Sequence, residues 1–177
     1  MTNPHINNPY IIENTVSHER IFKTIPSDEE VFCKDVVMIS ETDTEGIITY
    51  TNRQFREITG FSKEELIGSP HNITRHPDMP KGVYKAMWKI ISAKKVWRGY
   101  IKNMRKDGKF YWSLCYIQPK LDDNGEITGF IASRKIAFRE TIKEVEEIYA
   151  KYHGDEHIDH EIFMRSEDYQ DYLDAQS

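Results

Sequence analysis

Cysteine is scarce in this sequence, and long apolar runs are absent. Only Cys33 and Cys115 occur among 177 residues, far apart and outside any CxxC pair. This excludes a disulfide framework and a thiolate metal site, and it fits a reducing compartment. No apolar run approaches the roughly twenty residues that a membrane span needs, and the polar start lacks the pattern of a secretory signal. We therefore expect a cytoplasmic protein that does not insert into a membrane.

Charge and composition exclude further classes of protein. The formal net charge is -5 and the basic residues are scattered, so we expect no binding to nucleic acid. Apolar residues make up 38% of the chain and charged residues 30%, as in soluble folded proteins. The sequence has no nucleophile elbow, no phosphate-cradling glycine loop and no pair of acids at a defined spacing. We therefore predict that the protein is not an enzyme.

Strand signals predict an α+β fold built on a five-stranded antiparallel sheet. Residues rich in β-branched side chains predict a first hairpin over 36–39 and 46–50. Three longer strands follow over 96–105, 109–120 and 126–137, joined by turns that contain Asp-Gly and Asn-Gly. We expect helices to cover one face of this sheet.

Two short helices are predicted between the hairpin and the longer strands. Asn52 is typical of a helix N-cap, and Gly60 of the residue that ends the same helix. Ser62 and Glu65 have the spacing of a capping box for a second helix, which stops at Gly68.

A longer helix is predicted to begin after Asp78 or Met79 and to end near Ala93. Pro80 falls in its first turn, where a missing N–H is harmless. The apolar residues that recur at helical spacing and should face the sheet are Val83, Met87, Ile90 and Ile91.

Both ends of the chain are predicted to be extensions of one domain. Residues 1–35 form a polar arm, in which Ser27 and Glu30 predict a short capped helix. The domain itself covers 36–138, and 139–177 is a helical extension.

In the C-terminal extension, apolar periodicity predicts a helix that leaves the domain and ends near residue 153. Asp155 then caps an acidic, amphipathic second helix. Gly154 interrupts the helical pattern, so we assign no metal to the nearby group of His153, His157, His160 and Glu161.

Three segments, GFSKEELIGSPHNITRHPDMP, MWKIISAKKVWRGYIKNMRKDGKFYW and NGEITGF, resemble a PAS domain, and specifically the flavin-binding PAS domain of bacterial aerotaxis receptors. The likeness covers about residues 36–150, and PHNITRHPDMP and WRGYIKN are its most specific parts. The resemblance implies a PAS fold that holds FAD non-covalently between the sheet and the short helices. It also implies a homodimeric redox sensor, here a stand-alone cytoplasmic version, that signals to a membrane-bound chemoreceptor.

The resemblance implies that the residues at flavin-pocket positions are Asn52, Arg75, His76, Asp78, Trp88, Trp97, Asn103 and Tyr111. Strand alternation adds Ser113, because it should share one sheet face with Tyr111 and, across the hairpin, with Trp97 and Asn103. Arg134 stands where photosensors of the light-oxygen-voltage (LOV) group place a flavin-contacting Gln. His71 stands where those photosensors place their reactive Cys, which excludes photoadduct chemistry here.

Residue chemistry supports this pocket. Arg75 offers a fork of donors to a phosphate or to the flavin edge, where positive charge favours the reduced, anionic state. The amide of Asn103, on the inner face of a central strand, needs a partner that a ligand would supply.

Other interpretations of the same residues stay open at this point. Asp78 is equally explained as a helix cap, and Trp97 and Tyr111 as core residues of a half-buried sheet. The same fold could hold haem or another small ligand, with His71 and His76 as candidate haem ligands, and FMN could replace FAD. A docking module without any ligand is the third alternative.

Overall fold

A five-stranded antiparallel sheet forms the centre of the fold in a computed structural model that describes residues 11–151. In chain order the strands are β1 (Ile11–Glu13), β2 (Arg20–Phe22), β3 (Met38–Thr42), β4 (Ile48–Thr51), β5 (Trp97–Met104), β6 (Phe110–Leu121) and β7 (Ile127–Ile136). The sheet has the order β4-β3-β7-β6-β5, and β1 and β2 pair separately. The predicted α+β fold is confirmed.

The helices begin and end largely where their capping residues predict. They are α1 (Arg53–Thr59), α2 (Lys63–Leu66), a 3₁₀ helix (His71–Thr74), α3 (Lys81–Ser92) and α4 (Arg139–Tyr149). Asn52 Oδ1 accepts the Phe55 N–H at 2.9 Å, and Gly60 ends α1 with a φ of 73°. Ser62 and Glu65 make both bonds of the capping box on α2.

Strand register places one set of alternate residues on the helix-covered face, as strand alternation predicts. In the β5–β6 pair, Asn103 lies opposite Tyr111, and Ile101 lies opposite Ser113. Tyr111 is fully buried in one core cluster with Phe55 of α1, so this face is the one that α1 covers.

The start of α3 differs from the prediction. Pro80 itself occupies the N-cap position, and no side chain caps the helix. Asp78 instead directs its carboxylate to Lys102 Nζ at 3.0 Å. Met79 is buried, and its sulfur accepts the Lys102 N–H at 3.4 Å. Packing against β5 therefore overrides the local capping signal.

The prediction of a helix at Ser27 and Glu30 is wrong, because the structure has no helix between residues 11 and 35. The Ser27 N–H donates to the carbonyl of Gly108 at 2.9 Å. Phe110 N–H donates to Glu29 O at 3.0 Å. The arm thus satisfies its backbone against the β5–β6 turn rather than within itself.

The helix after the sheet does not leave the domain but packs on the sheet face opposite to α1. Tyr149 of α4 donates its hydroxyl to the carbonyl of Tyr100 at 2.7 Å and stacks on Trp112. Because Trp112 neighbours Tyr111 along β6, their side chains point to opposite faces. The predicted acidic helix after Asp155 and its histidine group lie outside the described residues. Within residues 11–151, none of the helices has the length and apolar character needed to cross a bilayer.

Candidate functional site

A cavity of about 260 Å³ lies between the sheet, the 3₁₀ helix and α3. This volume is just below the range of about 300–1,000 Å³ that small-molecule sites usually have. Its apolar and aromatic walls include Tyr84, Met87, Trp88 and Ile91 from α3 and Ile101, Ile117 and Phe130 from the sheet. The cavity therefore offers flat apolar surfaces to a ligand.

Trp88 stands at an exposed edge of this cavity, with 38% of its surface accessible. Its ring meets Phe130 edge-on at a centroid distance of 5.3 Å. A Cβ at Gly46 would lie 3.7 Å from the same ring, and Gly46 has a φ of 83°. Trp88 thus closes over the turn between β3 and β4.

Arg134 fixes a polar network on the cavity wall. It is 3% exposed, and it donates to Ser40 Oγ and to His71 Nε2, each at 3.0 Å. A guanidinium has no acceptor, so Nε2 of His71 must accept and the ring proton must lie on Nδ1. Burial, followed by the nearby Arg134 charge, lowers the pKa of His71 to about 3. His71 is therefore neutral at physiological pH.

Two cations, Arg75 and Arg134, line the cavity. The half-buried Arg75 has its guanidinium carbon 4.3 Å from the ring centre of Tyr84. Within residues 11–151, neither Arg75 nor Arg134 forms an ion pair, and exposed Glu45 is the one acid of the lining. Because a buried positive charge is costly when unpaired, this arrangement favours a ligand that carries negative charge.

Asn103 contributes a side-chain amide to the cavity lining. It is 5% exposed, lines the cavity, and its backbone bridges to Arg75. Within the described part of the chain, its side-chain amide makes no hydrogen bond. Its amide atoms are not enclosed by protein as the hydroxyls of Tyr111 and Ser113 are, so they are open to a ligand in the cavity.

Of the ten predicted pocket residues, the structure brings together Arg75, Trp88, Asn103 and Arg134 in the lining. Asn52 lies outside it and ties α1 to β3, since its Oδ1 also accepts the Ile39 N–H at 3.0 Å. His76 and Asp78 lie outside it as well. Nδ1 of His76 accepts the Asp78 N–H at 3.0 Å.

The remaining three predicted residues share the inner sheet face but not the lining. Trp97 lies over Gly99, where a Cβ would come within 2.5 Å of the indole ring. Tyr111 and Ser113 are fully buried, and neither hydroxyl has a partner among residues 11–151. These three side chains fill the sheet's inner face beside the cavity.

Several lining residues could not be recognised from the sequence. Tyr84, Met87 and Ile91 follow helical spacing, which does not distinguish a core helix from a cavity wall. Ser40 is one small polar residue in a strand. His71 drew attention only by its alignment and as a haem ligand, yet its Nε2 is occupied by Arg134 and Ser40. Residues 11–151 contain no group of three or more His, Cys, Asp or Glu placed to hold a metal ion.

Comparison with known proteins agrees with this geometry. The family model described as the PAS fold matches residues 48–134. The aerotaxis receptor of Escherichia coli (strain K12) is 38% identical over 115 residues, which are 65% of this chain and 22% of that protein. The nitrogen fixation regulatory protein of Klebsiella pneumoniae is 31% identical over 99 residues, 56% of this chain and 20% of that protein. The chain thus spans about a fifth of the length of these curated relatives.

Solved structures share the fold. A PAS domain from Colwellia psychrerythraea has a TM-score of 0.54 and 25% identity, covering 57% of this chain and 86% of that one. The dark structure of the blue-light photoreceptor Aureochrome1 LOV has a TM-score of 0.56 and 23% identity, covering 65% and 86% of the two chains. The sheet order, the helix-covered cavity and these matches together show that the chain belongs to the PAS family of signal-transduction sensor domains.

Proposed function

We propose that this PAS domain binds FAD non-covalently in the cavity and acts as a redox sensor without catalytic turnover. The observation that carries the proposal is the combination of aromatic walls, two guanidinium groups and the amide of Asn103, where neither guanidinium has an acidic partner and the amide has no hydrogen bond within residues 11–151. An isoalloxazine ring needs flat apolar contacts and a few directed hydrogen bonds at its polar edge. FAD is proposed rather than FMN because the sequence resembles the flavin-binding PAS domain of aerotaxis receptors, which implies FAD.

The size of the cavity suits one fused ring system better than a whole dinucleotide. The ring would occupy the interior, and the phosphates would extend toward the exposed lining. Arg75, which is half-buried, is the side chain best suited to meet a phosphate. Arg134 and Asn103 are buried and would hold the ring.

The positive charge of the cavity wall would make ligand binding depend on the redox state of the ligand. A bound flavin supplies the electron-accepting chemistry, and its reduced form carries more negative charge. Arg134 is held by Ser40 and His71, so its charge is fixed at the wall rather than free to turn to solvent. The cavity therefore stabilises the reduced ligand, and we expect the hydrogen bonds of Asn103 to rearrange with it.

We also propose that the sensor works in the cytoplasm as a homodimer and passes its state to a membrane-bound chemoreceptor. Similarity to a receptor and to a regulatory protein supports a role in signalling. The N-terminal arm and the residues after α4 are the proposed docking elements. Removing residues 155–177 should leave flavin content intact and abolish co-purification with the receptor, and retained co-purification would exclude this docking surface.

The absorbance spectrum of the purified full chain tests flavin binding. We expect the two-band flavin spectrum, bleached by dithionite, and a mass corresponding to FAD in the supernatant after denaturation. Asn103→Leu should lower FAD affinity about tenfold, since it removes one or two ligand hydrogen bonds of about 1 kcal/mol each.

Tyr111→Phe is the matched control, because Tyr111 lies opposite Asn103 in the sheet but outside the lining. Its hydroxyl has no partner among the described residues, so FAD affinity should not change. A chain that stays colourless after incubation with FAD would overturn the proposal. Equal loss of affinity in both variants would remove Asn103 from the binding site.

A further inference from the structure

The described part of the N-terminal arm, residues 11–35, is attached to the segment that leads into the cavity wall. Thr15 donates both its N–H and its hydroxyl to the carbonyl of Gly68, at 2.7 and 2.6 Å. Gly68 has a φ of 92°, and a Cβ there would lie 2.5 Å from Asn14 Oδ1. The close approach of the arm therefore depends on glycine at this position.

Asn14 makes the attachment specific. Its side chain is fully buried, and Nδ2 lies 2.8 Å from the carbonyl oxygen of Ile67 and 3.3 Å from those of Glu64 and Glu65. Nδ2 also lies 3.3 Å from Ser69 Oγ. The last carbonyls of a helix have no partner within it, so Asn14 from the arm supplies donors at the end of α2.

The other half of the same amide serves the arm itself. Asn14 Oδ1 accepts the backbone N–H groups of Val16 at 2.9 Å and Ser17 at 3.0 Å. These two hydrogen bonds close the turn between β1 and β2. The two halves of one side chain therefore do different tasks, and chemistry can separate them.

The clamped segment continues directly into the cavity. Residues 64–69 are followed by Pro70, His71, Asn72, Thr74 and Arg75, all of which line the cavity. The attachment of this wall to β4 runs through the same place, since Ile48 N–H donates to Ser69 O at 2.9 Å and Gly68 N–H to Ile48 O at 2.9 Å. Loosening residues 64–69 would therefore loosen the wall that carries His71 and Arg75.

We propose that Asn14 is a positioning residue for the ligand site: from outside the cavity it holds residues 64–69, and through them it holds the wall 70–75 against the ligand. The expected effect on ligand release rests on the proposed function. The expected effect on residues 64–75 is independent of the proposed function.

Asn14→Asp tests the clamp, because aspartate keeps the acceptor for Val16 and Ser17 but has no donor for the carbonyls of α2. Ser17→Ala is the control within the arm, since Ser17 is exposed. Val145→Ala is the control for general destabilisation. Val145 is fully buried in α4 and does not line the cavity.

Hydrogen exchange of the full chain without flavin gives the first measurement. We expect amide exchange in residues 64–75 to be about tenfold faster in Asn14→Asp, equivalent to about 1.4 kcal/mol, with no selective change there in either control. The proposal would be overturned if amide exchange in residues 64–75 were as slow in Asn14→Asp as in the wild type, or if Val145→Ala accelerated it equally.

The second measurement is the rate of FAD release, which is monitored by the recovery of flavin fluorescence. We expect release about tenfold faster in Asn14→Asp and unchanged in Val145→Ala and Ser17→Ala. Release that follows overall stability across the variants would reduce Asn14 to a structural role and refute its positioning role. A wild-type chain that binds no FAD would defeat the proposed function, while the exchange data would still decide the role of Asn14.

Discussion

His71 makes the stability of this domain depend on pH in a direction that the structure specifies. Its pKa is lowered to about 3 because the ring, half-buried in the cavity wall, is desolvated and because Arg134 lies beside it. In the unfolded chain the pKa of a histidine is about 6.5. Between these two values the unfolded state binds a proton that the folded state does not, so stability rises with pH there. The contribution of His71 is complete above pH 6.5 and is lost progressively as the pH falls toward 3.

The loss of stability at a given pH follows from the difference between that pH and the pKa of histidine in the unfolded chain. At pH 5 the unfolded histidine is one and a half units below its pKa, and each unit corresponds to about 1.4 kcal/mol, which gives a loss of about 2 kcal/mol. His76 adds a loss of the same sign, because burial and Lys102 lower its pKa to about 4. The wild-type protein should therefore lose more than the share of His71 alone.

His71→Gln isolates this share. Glutamine offers a carbonyl oxygen to the Arg134 donor and does not titrate. Urea unfolding of both proteins at pH 7 and pH 5 gives the comparison, and the fall in the free energy of unfolding should be about 2 kcal/mol smaller in the variant. The same fall in both proteins would refute a buried, neutral His71, and a wild-type protein that gains stability on acidification would reverse the sign.

Three further substitutions test the packing. Tyr149→Phe removes the hydroxyl that donates to Tyr100 O at 2.7 Å and should lower the free energy of urea unfolding by about 1 kcal/mol. An unchanged free energy of unfolding would contradict a stabilising hydrogen bond between α4 and the sheet. Gly99→Ala places a Cβ 2.5 Å from the Trp97 ring and should destabilise by about 1–3 kcal/mol with a shift in tryptophan emission, whereas an unshifted spectrum would contradict the contact. Burial lowers the pKa of Lys23 to about 8, so at pH 7 its charge costs about 3 kcal/mol, and Lys23→Met should raise stability by up to that amount. A loss of stability in Lys23→Met would indicate a favourable role for the charge.

Features that depend on neighbours in the chain could be predicted from the sequence. The cap at Asn52 and the box of Ser62 and Glu65 form because each side chain meets a backbone N–H three residues away. The Asp-Gly and Asn-Gly turns fix the meander, and strand alternation then places Asn103 and Tyr111 on one face. These interactions need no knowledge of the rest of the fold.

The site itself required the tertiary structure. Ser40, His71 and Arg134 come from three distant segments, and their hydrogen bonds exist only because β3, the 3₁₀ helix and β7 meet. Periodicity assigns a side chain to a face, but it does not say whether facing side chains touch or leave a hollow. Tyr84 therefore lines the cavity, while Trp97, on the expected face, is held over Gly99.

The arm shows the same limit most clearly. Ser27 and Glu30 have the local spacing of a capped helix, yet the β5–β6 turn offers their segment backbone partners that local interactions cannot outweigh. Asn14 has no sequence signal at all, because its partners at the end of α2 lie some fifty residues away. Local patterns in the sequence were enough to predict the five long-sheet strands, the short capped helices and the family resemblance. The course of the arm, the cavity, its charge and the clamp at Asn14 depend on long-range packing, which local patterns do not encode.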